Sequence, residues 1–256
     1  MHKISAFAQR NVTEILRDPL SYAFCAGFPL VMLALMTVVD QSIPAQAGMT
    51  IFHIDNLCGG VMIFGQMFVM LFTAITVAKD RAGAFLLRMY ATPMRSPDFI
   101  LGYAAPMLGI ALVQSLVIGV SAVIIALITG TPLSLGGVAA ALPALMPSAL
   151  LFTGFGLLFG TLFSEKAAPG LCSVIISLGS FLGGIWFDPD QTGGVLLTLS
   201  RLTPFYHASH AARAALKCDF SASGLWLPLA IVSLWAVAIL ALSAVCFHRR
   251  MKADLA

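Results

Sequence analysis

Charge is what this chain has least of. Only 10% of its 256 residues are Asp, Glu, Lys or Arg, against 59% hydrophobic. A soluble domain carries about 25% charged residues. With a mean hydropathy of +0.96, the chain cannot cover a water-facing surface, so it reads as an integral membrane protein. Paired cysteines are missing too. Cys25, Cys58, Cys172 and Cys246 sit in or beside apolar runs, and Cys218 stands alone in a polar stretch. No spacing suggests a disulfide framework or a zinc site.

Two further absences limit the mechanism. None of the apolar runs holds an Asp, Glu, Lys or Arg. Such groups cost about 2.5–3.5 kcal/mol at mid-membrane on insertion scales and usually serve ion or proton coupling. An ion-coupled carrier is therefore disfavoured. No lysine follows a glycine, so the Gly-Lys-Ser/Thr end of a phosphate-binding loop is absent. If transport is driven by ATP, another chain binds the nucleotide, and no cofactor is expected here.

The charges mark out the spans. Residues 1–18 form an amphipathic interfacial helix, with Ile4, Phe7, Val12 and Ile15 on one face and Arg10, Glu14 and Arg17 on the other. The Asn11-Val12-Thr13 sequon falls on the cytoplasmic side and is read as chance. Apolar runs then predict spans at 19–39, 56–78, 99–128, 138–163, 167–187 and 225–247. The Gly- and Pro-rich TGTPLSLGG at 129–137 splits the 66-residue uncharged run into two. The fold class is thus an all-α polytopic membrane protein with six spans. Lys and Arg set the orientation. Eleven of the fourteen fall on segments that face the cytoplasm if both termini are inside. Ala45-Gln46-Ala47 resembles a signal-peptidase site, but the run before it is too long for a signal peptide, so the first span is read as uncleaved. Residues 188–224 form an outer loop with two short half-buried helices.

Residues 79–98 concentrate charge between two spans. A short helix is expected from Asp80, its cap, to about Tyr90, ended by Thr92-Pro93. Phe85, Leu86 and Met89 share one side, flanked by Arg81 and Arg88. Such a segment either anchors the spans or offers an apolar knob to a soluble partner. His207 and His210, with Cys218 and Asp219 downstream, are weak metal candidates. Asp188 and Asp190 are weak acid–base candidates beside Pro189. Gly156–Gly160 and Gly179–Gly183 suit close helix packing within the chain or between copies.

Together, KDRAGAFLLRMYATPMRSPDFILG after the second span, the Gly-rich end of the fifth, RLTPFYHASHAARAAL before the last and the opening helix with Asp18-Pro19 resemble permeases of the type-2 ATP-binding-cassette exporter family. Lys79 stands where that pattern often has an acid, and the turn after Pro189 lacks a second proline. The resemblance implies a pump of two permeases, as a homodimer or as a pair with a related permease, and two cytoplasmic ATP-binding-cassette ATPases, with ATP and magnesium held by the ATPase. It implies a coupling segment at Asp80, Arg81, Gly83, Phe85, Leu86, Leu87, Arg88 and Met89. It also implies a path along the second and fifth spans, for which Phe64, Gln66, Met67, Met70, Ser173 and Ser177 are the candidates. The expected location is the cell's inner (plasma) membrane. Amphipathic drug-like or lipid-like molecules suit an apolar path. Alternatives are a membrane enzyme acting on lipid-linked substrates, a non-enzymatic assembly subunit and the disfavoured ion-coupled carrier. No nucleic-acid partner is expected.

Overall fold

The structure is a computed structural model that describes residues 2–44, 48–83, 85–90, 94 and 96–255. The Ala45–Ala47 cleavage-like site, the Thr92-Pro93 stop and Arg95 lie outside the described residues, as does the side chain of Leu87.

All elements among the described residues are helices. The amphipathic helix is α1 (His2–Leu16). Asp18 ends it and starts the next: its carboxylate accepts from the Leu20 N–H, and Pro19 occupies the first turn of α2 (Pro19–Tyr22). A proline there loses no helical bond. A π-helical turn (Ala23–Gly27) leads into α3 (Phe28–Ser42). The long α4 (Ile54–Ala82), the short α5 (Phe85–Tyr90) and the long α6 (Ser96–Thr129) follow. Then come α7 (Leu135–Ala144), α8 (Met146–Leu162) and α9 (Ala168–Leu182). Three short helices, α10 (Pro189–Thr192), α11 (Gly194–Leu202) and α12 (Pro204–Leu216), precede a second π-helical turn and the last helix, α13 (Leu227–Leu255).

Among the described residues, four continuous stretches are long and apolar enough to cross a membrane: Pro19–Ser42, Ile54–Ala82, Ser96–Thr129 and Ala222–Lys252. A fifth crossing arises if α7 and α8, bent by 42° at their junction, count as one span. The bend has local causes. Pro143 and Pro147 flank it, and each proline removes a helical N–H. At 15 residues, α9 reaches only about 22 Å at 1.5 Å per residue, short of the roughly 30 Å hydrocarbon core.

The core is organised around α4, which packs on α3, α6, α8, α9 and α12. Its contact with α8 is close because of glycine. A Cβ on Gly156 would strike the Met70 carbonyl and Thr73, and one on Gly160 would strike the Ala74 carbonyl and Val77. The Gly179–Gly183 pair likewise lies against Met67 and Phe205. Both stripes therefore serve packing inside the chain.

The expected pair of half-buried outer helices divides into two unlike ones. Val195, Leu199 and Leu202 of α11 are exposed, whereas Ala208, Ala211, Ala212, Ala215 and Leu216 of α12 join the core. Arg213 fixes α12 in place. Partly buried, it donates from Nε to the Asn56 carbonyl (3.1 Å) and from Nη2 to the Gly184 carbonyl (2.6 Å). Burial depresses its pKa to about 10, so it stays charged at neutral pH and ties α12 to α4 and to the turn after α9.

Candidate functional site

An aromatic cluster with an ion pair at its centre forms where α1, α4, α5, α6 and α13 meet. Phe7 of α1 and Phe247 of α13 belong to one apolar cluster with Leu86, Phe99 and Tyr103, so both terminal helices reach the same end of the bundle. The Phe7 ring stacks on Phe85 at 6.3 Å between centroids and meets Phe99 and Tyr103 edge-on. It fits because residue 102 is glycine; a Cβ there would overlap the ring.

At the centre of this cluster Arg10 donates twice to Asp80, Nη1 to Oδ2 at 2.6 Å and Nη2 to Oδ1 at 2.8 Å. Tyr103 donates its hydroxyl to the same carboxylate at 2.7 Å. Asp80 is 4% exposed, so these donors replace its lost hydration. The Arg10 guanidinium lies 4.2 Å from the centre of the Phe85 ring, an attractive cation–ring contact. Burial works against the charge of Arg10, but its bond and proximity to Asp80 outweigh that and raise its pKa. Glu14 forms ion pairs with Arg10, Oε2 to Nη2 at 2.7 Å, and with Lys79, Oε1 to Nζ at 3.5 Å.

A second tie holds α1 to α6. Pro106 has no N–H to offer the carbonyl of Gly102, four residues back. Asn11, fully buried, donates its amide to that carbonyl at 3.0 Å. Near the same end Ser96 Oγ and His248 Nδ1 stand 2.9 Å apart, joining α6 to α13.

These contacts redraw the expected coupling helix. Asp80 and Arg81 do not begin it: α4 runs on to Ala82, Gly83 caps its end, and α5 starts at Phe85. Packing on α1 and α8 holds those last residues helical where local capping alone suggested a break. Arg81 donates to the Gly160, Thr161 and Phe163 carbonyls. It thereby caps the end of α8, where carbonyls lack helical partners and a cation is favoured. Nor does the apolar side of α5 face outward. Leu86 is 1% exposed, and Phe85 and Met89 pack on the aromatic cluster. Arg88 and Gly83 remain exposed.

The six path candidates do not form one surface. Phe64, Gln66, Met67 and Met70 are buried within the chain. Gln66 serves the bend between α7 and α8, accepting from Ser148 Oγ at 2.7 Å and donating to the Leu145 carbonyl at 3.4 Å. Phe64 packs on Phe28, Phe68 and Trp186. Ser173 and Ser177 are exposed on α9, and Ser173 bonds the Pro169 carbonyl of its own helix.

At the other end the acid–base and metal candidates each make local contacts. Asp188 caps α10. Asp190 accepts from Arg201 and Tyr206. His207 and His210 each bond a backbone carbonyl, at 2.9 and 3.1 Å. Among the described residues no three His, Cys, Asp or Glu are placed to hold a metal.

Asn11 and Tyr103 escaped the sequence reading. Asn11 was discounted as half of a chance sequon. One signal for it was present: a proline ten residues after the start of a long apolar helix leaves a carbonyl in need of a donor.

Long apolar helices packed round a central one define a multi-pass membrane protein. The family model of the ABC-2 type transporter matches residues 2–217, and the chain belongs to that family. It is therefore the transmembrane component of an ABC-type transporter. Comparison with curated proteins gives no match.

Proposed function

We propose that this chain is the permease of an ATP-driven exporter in the cell's inner (plasma) membrane. It crosses the membrane six times, with α9 as the short fifth crossing and both termini in the cytoplasm. Two copies, or one copy and a related permease, enclose the path. A separate cytoplasmic ATP-binding-cassette ATPase binds ATP and magnesium and supplies the work; the permease itself holds no cofactor and catalyses no hydrolysis. The cargo is amphipathic, drug-like or lipid-like.

The observation that carries this reading is the seating of α5. Its inner face is locked by Phe7, Arg10 and Phe99 onto the ends of α4 and α6, and Arg88 points away. A push on the outer face of α5 thus reaches two long helices through one rigid joint. The docking surface is the one that carries the exposed Gly83 and Arg88, and Leu86 transmits rather than docks. A cation at the rim of an interface sets encounter and register more than total affinity. The path then lies between copies, along exposed faces such as that of Ser173 and Ser177 on α9, because the α4 candidates are committed to packing.

The test is co-purification with the ATPase expressed alongside, followed by nucleotide hydrolysis in nanodiscs. Arg88→Glu should reduce association while the permease still inserts and melts normally. Leu86→Ala should keep the complex but lower transport per ATP hydrolysed. Hydrolysis by the permease alone, or unchanged association in Arg88→Glu, would refute the assignment.

A further inference from the structure

One cavity among the described residues plays no part in the coupling joint. It is a groove of about 720 Å³ between α1, the α2–α3 junction and α6, within the roughly 300–1,000 Å³ of pockets that hold drug-sized molecules. Along α6 its wall runs from Ala105 through Gly109 and Val113 to Val117, one helical face about 18 Å long at 1.5 Å per residue. Half of a roughly 30 Å hydrocarbon core is about 15 Å, so the groove is as deep as one leaflet. Its opposite wall is Val12, Leu16 and Cys25. Gln114 also lines the groove; its Nε2 donates to the Met62 carbonyl, its Oε1 has no hydrogen-bond partner, and the lining is otherwise mostly apolar.

The mouth is different. Ser5 and Gln9 line it. Ile15 and Ser21 are shared with an adjoining polar cavity that Arg17 and Lys79 border. Lys79 is engaged with Glu14. Arg17 is exposed and makes no ion pair or side-chain hydrogen bond among the described residues, although Glu14 and Asp18 stand on the same cavity wall. An apolar slot one leaflet deep, opening beside an unengaged cation, matches a molecule with a long hydrocarbon tail and an anionic head.

We propose that this groove holds a single phospholipid of the leaflet in which α1 lies, one acyl chain filling the slot and the phosphate resting on Arg17. The lipid wedges α1 against α6 beside the Asn11–Gly102 tie. The site is independent of the path and of the ATPase.

The experiment reconstitutes the full chain in nanodiscs of phosphatidylglycerol and phosphatidylcholine, transfers it to mild detergent and counts retained lipid by native mass spectrometry. One phospholipid per protomer should survive delipidation, with phosphatidylglycerol preferred. A Cβ at Gly109 meets no neighbour within 4 Å, so Gly109→Trp fills the groove without a clash at its base. It should cut retention about tenfold, equivalent to ~1.4 kcal/mol, and Val113→Trp serves as the second blocker if that variant does not fold. Arg17→Gln should keep the lipid but lose the headgroup preference. Undiminished retention in a folded groove-filling variant overturns the proposal. So does disulfide formation between copies in Val117→Cys, which would assign the groove to a second copy, or retention of a non-lipid amphipath in place of phospholipid.

Discussion

Arg10 and Asp80, 70 residues apart in sequence, meet as a two-pronged ion pair at 2.6 and 2.8 Å. One partner comes from the amphipathic helix and the other from the last turn of the central span. Tyr103 adds a bond from a third helix, so the position of α1 and the spacing of α4 and α6 are set by one carboxylate.

The pair should therefore behave as a unit. Asp80→Ala leaves the Arg10 guanidinium facing an apolar cluster, and about 2–3 kcal/mol of stability should be lost, reduced from the fully buried case because Arg10 is partly solvated. Tyr103→Phe should cost about 1 kcal/mol. A double-mutant cycle on Arg10→Ala and Asp80→Ala, read by thermal melting in nanodiscs, should show strong coupling; additive losses would mean the pair is only a surface contact.

Gly102 should tolerate no side chain. Gly102→Val drives a branched side chain into the Phe7 ring, and overpacking of this kind typically costs about 1–3 kcal/mol. The measurement is proteolysis of α1: the variant should be cut within the first helix faster than the parent. Phe7→Ala in the same background should restore the parent's cutting rate in part.

Acid should loosen the short helices before it affects the spans. Burial lowers the pKa of His207 from its usual 6.5. The unfolded state then takes up its proton first as pH falls. Stability contributed by neutral His207 is present above 6.5 and lost as pH drops from there through the lower folded value. Melting curves from about pH 8 to 5 should show this slope, and His207→Gln should flatten it.

Orientation can be read from a native residue. Cys218 is exposed, whereas Cys25, Cys58 and Cys172 are buried. If α12 faces out, a membrane-impermeant maleimide should label intact cells, and Cys218→Ser should abolish most of the signal. Labelling only after lysis would invert the topology.

The helical class and the long apolar helices are legible because apolar runs bounded by charge report transfer free energy directly. Asp18-Pro19 announced its own cap. The destination of Asp80 was not legible. A carboxylate near a helix boundary looks like a cap, and only the arrival of Arg10 and Tyr103 from distant segments makes it a buried ion partner. Leu86 shares its helix face with Phe85 and Met89, and that face packs on the cluster of Phe7 and Phe99. Helical periodicity says which residues share a side and is silent on what covers that side. Met67 and Met70 show the same limit, since an apolar residue of a span reads alike whether it meets lipid, cargo or another helix.

Pro106, Gly102, Asn11 and Phe7 have an evolutionary consequence. Replace Pro106 with any residue that carries an N–H, and the Gly102 carbonyl regains its helical donor, making the Asn11 amide redundant. Replace Asn11 alone, and the carbonyl is orphaned. The order of the two changes therefore matters: losing Asn11 first leaves the Gly102 carbonyl unpaired, whereas replacing Pro106 first leaves it paired, because a carbonyl can accept from both donors. A lineage can pass from one arrangement to the other by way of position 106 but not by way of position 11, while Gly102 and Phe7 form a separate steric lock.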